Sequence, residues 1–288
     1  MLRLANPYLA VIVGVIGVSS SAIFVKLTTA PSVITAGYRL LFTFLMLLPF
    51  TLKYNRKDFR FFSGKQYRVA FISGLFLAFH FISWFSSLNY TSVASSTVLV
   101  NTQPLFVIIF SYLLWREKLP LKALIGVSIA FGGTVILSWG DFCLGPTNLW
   151  GDALALIGAI MVAGYYLCGK YLRQTMSLLP YTTLVYGFST LLLFFFALLG
   201  GYSFTNYSLQ DFLIFLALAF FCTIMGHSLL NWAIKFLPAS SVSISILGEP
   251  VIASALAYFL FQETLTLQQL IGSILILGGI LFYHYSVN

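Results

Sequence analysis

The sequence predicts an all-α integral membrane protein, ten transmembrane helices arranged as two inverted five-helix repeats. Three observations carry that expectation. Only 8% of the 288 residues are charged and 60% are hydrophobic, whereas a soluble domain carries about 25% charged residues, so this chain could not cover a water-facing surface. Its apolar residues fall into ten runs near the ~20 residues that cross a bilayer as a helix, and lipid leaves no other way to satisfy so much backbone in single segments. Finally, one stretch occurs twice.

The first copy reads VASSTVLVNTQPLF followed by WREKL, and the second ASSVSISILGEPVI followed by FQETL. An offset of 146 carries Ser95 to Ser241, Pro104 to Pro250, Glu117 to Glu263, Gly126 to Gly272 and Gly133 to Gly279. Earlier in each half, an offset of 144 carries Gly14 to Gly158 and Lys26 to Lys170. The unit holds five spans, an odd number, so two in tandem insert with opposite orientation, the ground plan of many secondary transporters. The first repeat is expected over residues 1–140, a linker with Gly145 and Pro146 over 141–149, and the second repeat over 150–288.

Taken in order, the spans are expected at 7–26, 32–52, 67–88, 93–114, 121–139, 150–172, 180–200, 210–234, 240–261 and 266–286. The first lacks a small-residue cleavage site and reads as a retained span. Its Gly14, Gly17 and Ser21, like Gly158, Gly164 and Gly169 in the sixth and the Gly-Gly pairs of the fifth and tenth, suit close helix packing. Lys26, near the outer end of the first span, reads as reaching water. The segment after the second span holds Lys53, Arg56, Lys57, Arg60, Lys65 and Arg68. With alternating spans, Arg3, Arg116, Lys118, Lys122, Lys170, Arg173 and Lys235 fall on that same side, and Asp141, Asp152, Asp211 and Glu263 on the other. The positive-inside rule then places both termini in the cytoplasm, with the protein in a bacterial-type cell (inner) membrane. The net charge of +8 is thereby a topology signal near anionic lipid. No nucleic acid is expected as a partner; a small-molecule metabolite and membrane lipid are, with the protein a monomer or homodimer. Cys143, Cys168 and Cys222 have neither metal-ligand spacing nor the even number of a disulfide framework, and no metal or cofactor is expected.

The offset of 146 also carries Gln103 to Glu249, which puts a carboxylate in the middle of an apolar span, where insertion costs about 2.5–3.5 kcal/mol. Such a group must face a polar cavity, find a cation or hold a proton. Pro250 after it frees the carbonyl of Ile246, and Ser241, Ser245 and Glu249, four apart, make one polar stripe. Gln103 precedes Pro104 in the same way, whereas Asn101, about 200° around the helix, reads as a packing residue. His80, with Trp84 one turn on, and His227, between Thr223 and Asn231, add imidazoles that donate, accept or carry a proton. Their offset is 147, one from that of the repeat, which places them to face each other across the pseudo-two-fold axis. Arg39, the one cation well inside a span, reads as a structural pair or helix-end contact. Expected substrate contacts are Glu249, His80, Trp84, Gln103, His227, Asn231 and Ser245. Glu249 and His227 are the proton-coupling candidates, and Pro104, Pro250 and Arg39 take structural or gating roles. For each, the competing account is a group that only ties helices together. Tyr165 and Tyr166 read as ordinary core or interfacial aromatics.

The two duplicated segments, with the YRLLF of the second span, resemble the EamA-type transporters of the drug/metabolite transporter superfamily over essentially the whole chain. The resemblance implies a ten-helix inverted-repeat fold. It also implies a central cavity lined by spans one, three, four, six, eight and nine, and export of amino acids and related metabolites without ATP. The expected function is a secondary-active exporter of small amine-bearing metabolites such as amino acids, working by alternating access, and not an enzyme: no HExxH, buried aspartate pair or GxSxG elbow is present. An intramembrane enzyme, a channel or membrane-embedded sensor, and a transporter of the same superfamily for nucleosides, vitamins or drugs stay open. A phosphorylated cargo would require several buried cations, and Arg39 is the only one.

Overall fold

The computed structural model describes residues 6–139, 146–261 and 266–287. Arg3, Asp141, Cys143, Gly145 and Glu263, and with them much of the linker reading and the far-side placement of Glu263, lie outside the described residues. The apolar helices run in chain order as α1 (Pro7–Leu27), α2 (Ser32–Asn55), α3 (Gly64–Ser87), α4 (Ser95–Trp115), α5 (Leu121–Leu137), α6 (Asn148–Arg173), α7 (Leu178–Leu199), α8 (Leu209–Ala233), α9 (Ala239–Leu256) and α10 (Leu267–Val287). Their bounds lie within a few residues of the runs expected from the sequence. Among the described residues nine are long and apolar enough to cross a membrane; α5, with 17 residues, spans about 25 Å at 1.5 Å per residue. The outward surface stays apolar, with Leu191 of α7 and Leu281 of α10 about 70% exposed (69% and 71%), as a lipid-facing surface requires.

The pairing of α5 with α10 shows the inversion directly. Gly126 abuts Gly279 and Tyr283, and Gly133 abuts Gly272 and Ile276. Rising numbers on one helix meet falling numbers on the other, so these two repeat mates are antiparallel. The contact is backbone on backbone: a Cβ on Gly279 would stand 2.4 Å from the Ala130 nitrogen. Gly279→Val should therefore force the helices apart and lower the thermal midpoint in detergent, at a cost of about 1–3 kcal/mol.

Two capping boxes make a second symmetric joint. Ser63 Oγ accepts from the Gln66 N–H (3.2 Å) while Gln66 Oε1 accepts from the Ser63 N–H (2.7 Å), and Ser208 with Asp211 repeats this at the start of α8. Each box reaches across to the opposite half. Gln66 Nε2 donates to Thr175 Oγ1 (2.9 Å) before α7. The Asp211 carboxylate accepts from Thr28 Oγ1 (2.6 Å), the Thr29 N–H (2.9 Å) and Thr29 Oγ1 (3.1 Å) before α2. Asp211→Ala should cost about 2 kcal/mol, the scale of hydrogen bonds to a charged group, read as a lower melting temperature.

At the end of the bundle that carries the basic segment, Lys170 forms an ion pair with Glu117. Lys26, at the opposite end, is exposed but donates to the Leu88 carbonyl, so it caps α3 rather than simply reaching water. Arg173, counted from sequence among the surface charges, is buried and donates to the carbonyls of Asn231 and Met176. It closes the ends of α8 and α6.

Candidate functional site

Four helices change form around one cavity. α1 breaks between Pro7–Ser19 and Ser21–Leu27. α4 breaks between Val93–Val100 and Gln103–Trp115. α9 tightens to a 3-10 turn at Ile246–Gly248 before Glu249–Phe261, and α8 widens to a π-helix over Leu218–Ser228. Two of these have a simple cause. Pro104 and Pro250 occupy the first turn of a new helix, where the missing N–H costs nothing. The Ile246 carbonyl is not left open, contrary to the sequence expectation; the 3-10 turn gives it the N–H of Glu249 itself.

The cavity has a volume of about 30 Å³ and is lined by Ser21, His80, Trp84, Asn101, Gln103, Tyr166, His227 and Glu249, with Val18, Val100, Val162 and Ile246 between them. A water needs at least about 10–15 Å³ of such space, so this conformation closes the walls to roughly the room of two waters. Five of the seven expected substrate contacts meet here: Glu249, His80, Trp84, Gln103 and His227. The other two do not. Asn231 is fully buried and donates to Tyr165 Oη (2.5 Å) and the His227 carbonyl (2.7 Å), joining α8 to α6. Ser245 donates to the Ser241 carbonyl (2.9 Å) and lies 3.0 Å from His284 Nε2, facing α10. The stripe Ser241–Ser245–Glu249 assumed 3.6 residues per turn throughout, and the tighter turn before Glu249 swings the carboxyl away from the two serines. Asn101 errs the other way. It was assigned to packing from an ideal helix, but the break at Asn101–Thr102 brings it to the cavity beside Gln103. Tyr166 and Ser21 were also missed; nothing in their sequence surroundings separates them from core residues.

The contacts on either side of the π segment fix the register of the two histidines. Ser189 Oγ donates to the Gly74 carbonyl (2.8 Å) and Thr43 Oγ1 to the Ala219 carbonyl (3.4 Å), one joint seen twice, with Ala219 standing 145 residues after Gly74. Further on, Gly158 abuts His80 and Trp84 while Gly14 abuts Gly226 and Leu230, an offset of 146. One residue has been added within the π turn, so Gly226 stands where His80 stands. The histidines face each other, with ring centroids 6.5 Å apart, but they are not symmetry partners, which corrects the expectation from their spacing. Their surroundings differ accordingly. His80 Nδ1 donates to the Gly158 carbonyl (2.9 Å), which leaves Nε2 as the acceptor. His227 is buried, lies near-parallel to Tyr166 (6.5 Å, 21°) and makes no hydrogen bond through its ring with any described residue; Nδ1 is fully enclosed. The four-residue stripe of α8 is likewise dispersed: Thr223 goes to Arg39, His227 to the cavity and Asn231 to Tyr165.

Arg39 has no acidic partner among the described residues. It is fully buried, with Nε donating to Thr223 Oγ1 (2.7 Å) and Nη1 to Ser21 Oγ (2.8 Å), and its guanidinium carbon lies 4.3 Å from the centre of the Phe81 ring. Cation–π contact and hydroxyl dipoles hold the charge. It joins α2, α1, α3 and α8 immediately behind the Ser21 wall of the cavity. Glu249 is 6% exposed and its carboxyl takes no hydrogen bond from any described residue.

The EamA-like transporter family model matches the chain twice, over residues 6–139 and 149–285. A Bacillus subtilis (strain 168) protein named "Uncharacterized transporter YetK" is 29% identical over 91% of this chain and 82% of its own length. An uncharacterized transporter of Archaeoglobus fulgidus is 26% identical over 94% of each. A Rickettsia bellii protein named "S-adenosylmethionine uptake transporter" is 27% identical over 87% of this chain and 83% of its own. A solved structure, titled only "Crystal structure of protein", superposes with a TM-score of 0.78 at 20% identity, covering 96% of both chains, and so shares the fold. Both halves of the chain matching one family model, and ten membrane helices folded around a polar cavity, lead to one conclusion: this protein is an integral membrane transporter that belongs to the EamA-like transporter family.

Proposed function

We propose that the protein is a secondary-active carrier of small amine-bearing metabolites, moving them unchanged through the cavity at Glu249 by rocking one inverted half against the other. The observation that carries this reading is the unpartnered Glu249 carboxyl, buried at the junction of the repeats. A buried carboxylate is tolerated where water, a proton or a cationic group reaches it, and a cargo amine is such a group. Midplane binding between inverted repeats with interrupted helices is the arrangement that alternating access uses. Glu249 exchanges a proton for the amine, His80 and Gln103 offer hydrogen bonds, His227 offers a second proton site, and Trp84 offers a face for stacking. Pro104 and Pro250 let the half-helices of α4 and α9 swing.

The chain sits in the cell membrane with both termini cytoplasmic, a reading supported by Lys53, Arg56, Lys57, Arg60, Lys65 and Arg68 in one loop. The family resemblance favours net export; the Rickettsia bellii relative is named for uptake, so sidedness is assayed in both directions. The test is counterflow: purified protein in liposomes preloaded with unlabelled amine should accumulate the labelled amine above protein-free vesicles. Conversion of that amine into a new compound, or no exchange by well-folded protein across a broad set of amines, would contradict the proposal.

A further inference from the structure

We infer that the cargo is a flat nitrogen heterocycle bearing an amine and lacking a carboxylate or phosphate. The inference rests on the transporter reading and narrows it.

Its basis is a concentration of unsatisfied polar groups. Trp84 Nε1, Asn101 Nδ2, Gln103 Oε1 and His227 Nδ1 are all buried without a hydrogen-bond partner among the described residues, and all four side chains line the cavity that Glu249 also lines. Buried polar groups in native proteins are nearly always bonded, and exceptions call for an explanation. A shared ligand, admitted when the walls open beyond the room of two waters they leave in this conformation, explains five such groups at once. Their chemistry specifies its complement. Trp84 and Asn101 present N–H donors and need acceptors. Gln103 Oε1 and the Glu249 carboxylate accept and need donors, and His227 serves either way. A saturated alkylamine supplies donors only and leaves Trp84 and Asn101 unmet. An amino-substituted heterocycle with two or more ring nitrogens supplies both in one plane: its amine and a ring N–H match the two oxygens of a carboxylate, and a second ring nitrogen accepts.

The ring planes agree. Trp84 lies near-parallel to His80 (5.7 Å, 20°) and Tyr166 near-parallel to His227 (6.5 Å, 21°), and stacked or offset arrangements are the ones a flat aromatic guest extends. The charges exclude an anionic group. Among the described residues the lining holds no lysine or arginine. Arg39 stands behind it, outside the lining, with Nε and Nη1 bonded to Thr223 and Ser21 and Nη2 buried without a partner among the described residues. A carboxylate or phosphate in the cavity would meet Glu249 with no cation in contact.

The test uses the full chain in detergent and in liposomes, with 2-aminopyrimidine, adenine, tryptophan and leucine as probes. Either heterocycle should raise the melting temperature and exchange in counterflow, at least tenfold better than tryptophan or leucine. Asn101→Leu and Gln103→Leu should each weaken that binding about tenfold without lowering the melting temperature of the free protein, because neither side chain bonds to any described residue. Equal or better exchange of leucine or tryptophan overturns the inference while keeping the transporter reading. So does heterocycle binding that both leucine variants leave unchanged, which would assign the orphaned groups to water. Failure of every probe and of a broad amine set to exchange overturns both.

Discussion

Glu249→Gln is expected to reduce counterflow to the level of protein-free vesicles while leaving the melting temperature unchanged or slightly raised. The carboxyl bonds to no described residue, so an amide of the same shape removes nothing that holds the fold, and a neutral group is cheaper than a charged one at that depth. What it removes is the only acid among the described residues that line the cavity. The wild-type protein should lose transport as pH falls, because a proton then occupies the carboxylate that the amine requires. The glutamine variant should show no such pH dependence. Wild-type counterflow by the variant at any pH would remove Glu249 from the mechanism.

Arg39→Ala should have the largest effect on stability, about 3 kcal/mol or more, from a lost pair of charged hydrogen bonds and the cavity left under Phe81. Arg39 draws together four helices, through Thr223 of α8, Ser21 of α1 and Phe81 of α3. Arg39→Lys keeps the charge but not a planar fork that reaches both hydroxyls, so it should fall between wild type and alanine. Melting curves in detergent decide this; a lysine variant as weak as alanine would show that geometry, and not charge, is what the site requires.

The helices were legible because a bilayer enforces a length and an apolar composition that a sequence displays directly. The repeat was legible because two prolines, two small-residue runs and four glycines kept their spacing. The central acid was legible because nothing else apolar surrounds a carboxylate by accident. What failed were inferences that extended an ideal helix through residues that break it. Ser245 was drawn onto the Glu249 face and Asn101 off the Gln103 face by the same 100° step, and both were wrong because α9 tightens and α4 interrupts near those residues. Counting fours puts Thr223 and His227 on one face through a π turn, and Asn231, one turn past His227, turns to Tyr165 instead of the cavity. The residue added to α8 moves the offset between α3 and α8 from 145 to 146, and the histidine spacing of 147 matches neither, so the contacts of Gly14 and Gly158, and not the histidines, fix the register. Tyr166 had no signal, since a cavity-facing tyrosine and a core tyrosine look alike in an apolar run.

The most direct test of the central claim, a polar chamber between the two inverted halves that each side of the membrane reaches in turn, is cysteine labelling at Val100. This residue lines the cavity and is 6% exposed. In a background with Cys143, Cys168 and Cys222 replaced, Val100→Cys should react with a membrane-impermeant thiol reagent added to either face of oriented vesicles, and bound cargo should slow both reactions. A cysteine there that stays unreactive from both faces while the protein is exchanging amine would contradict the account.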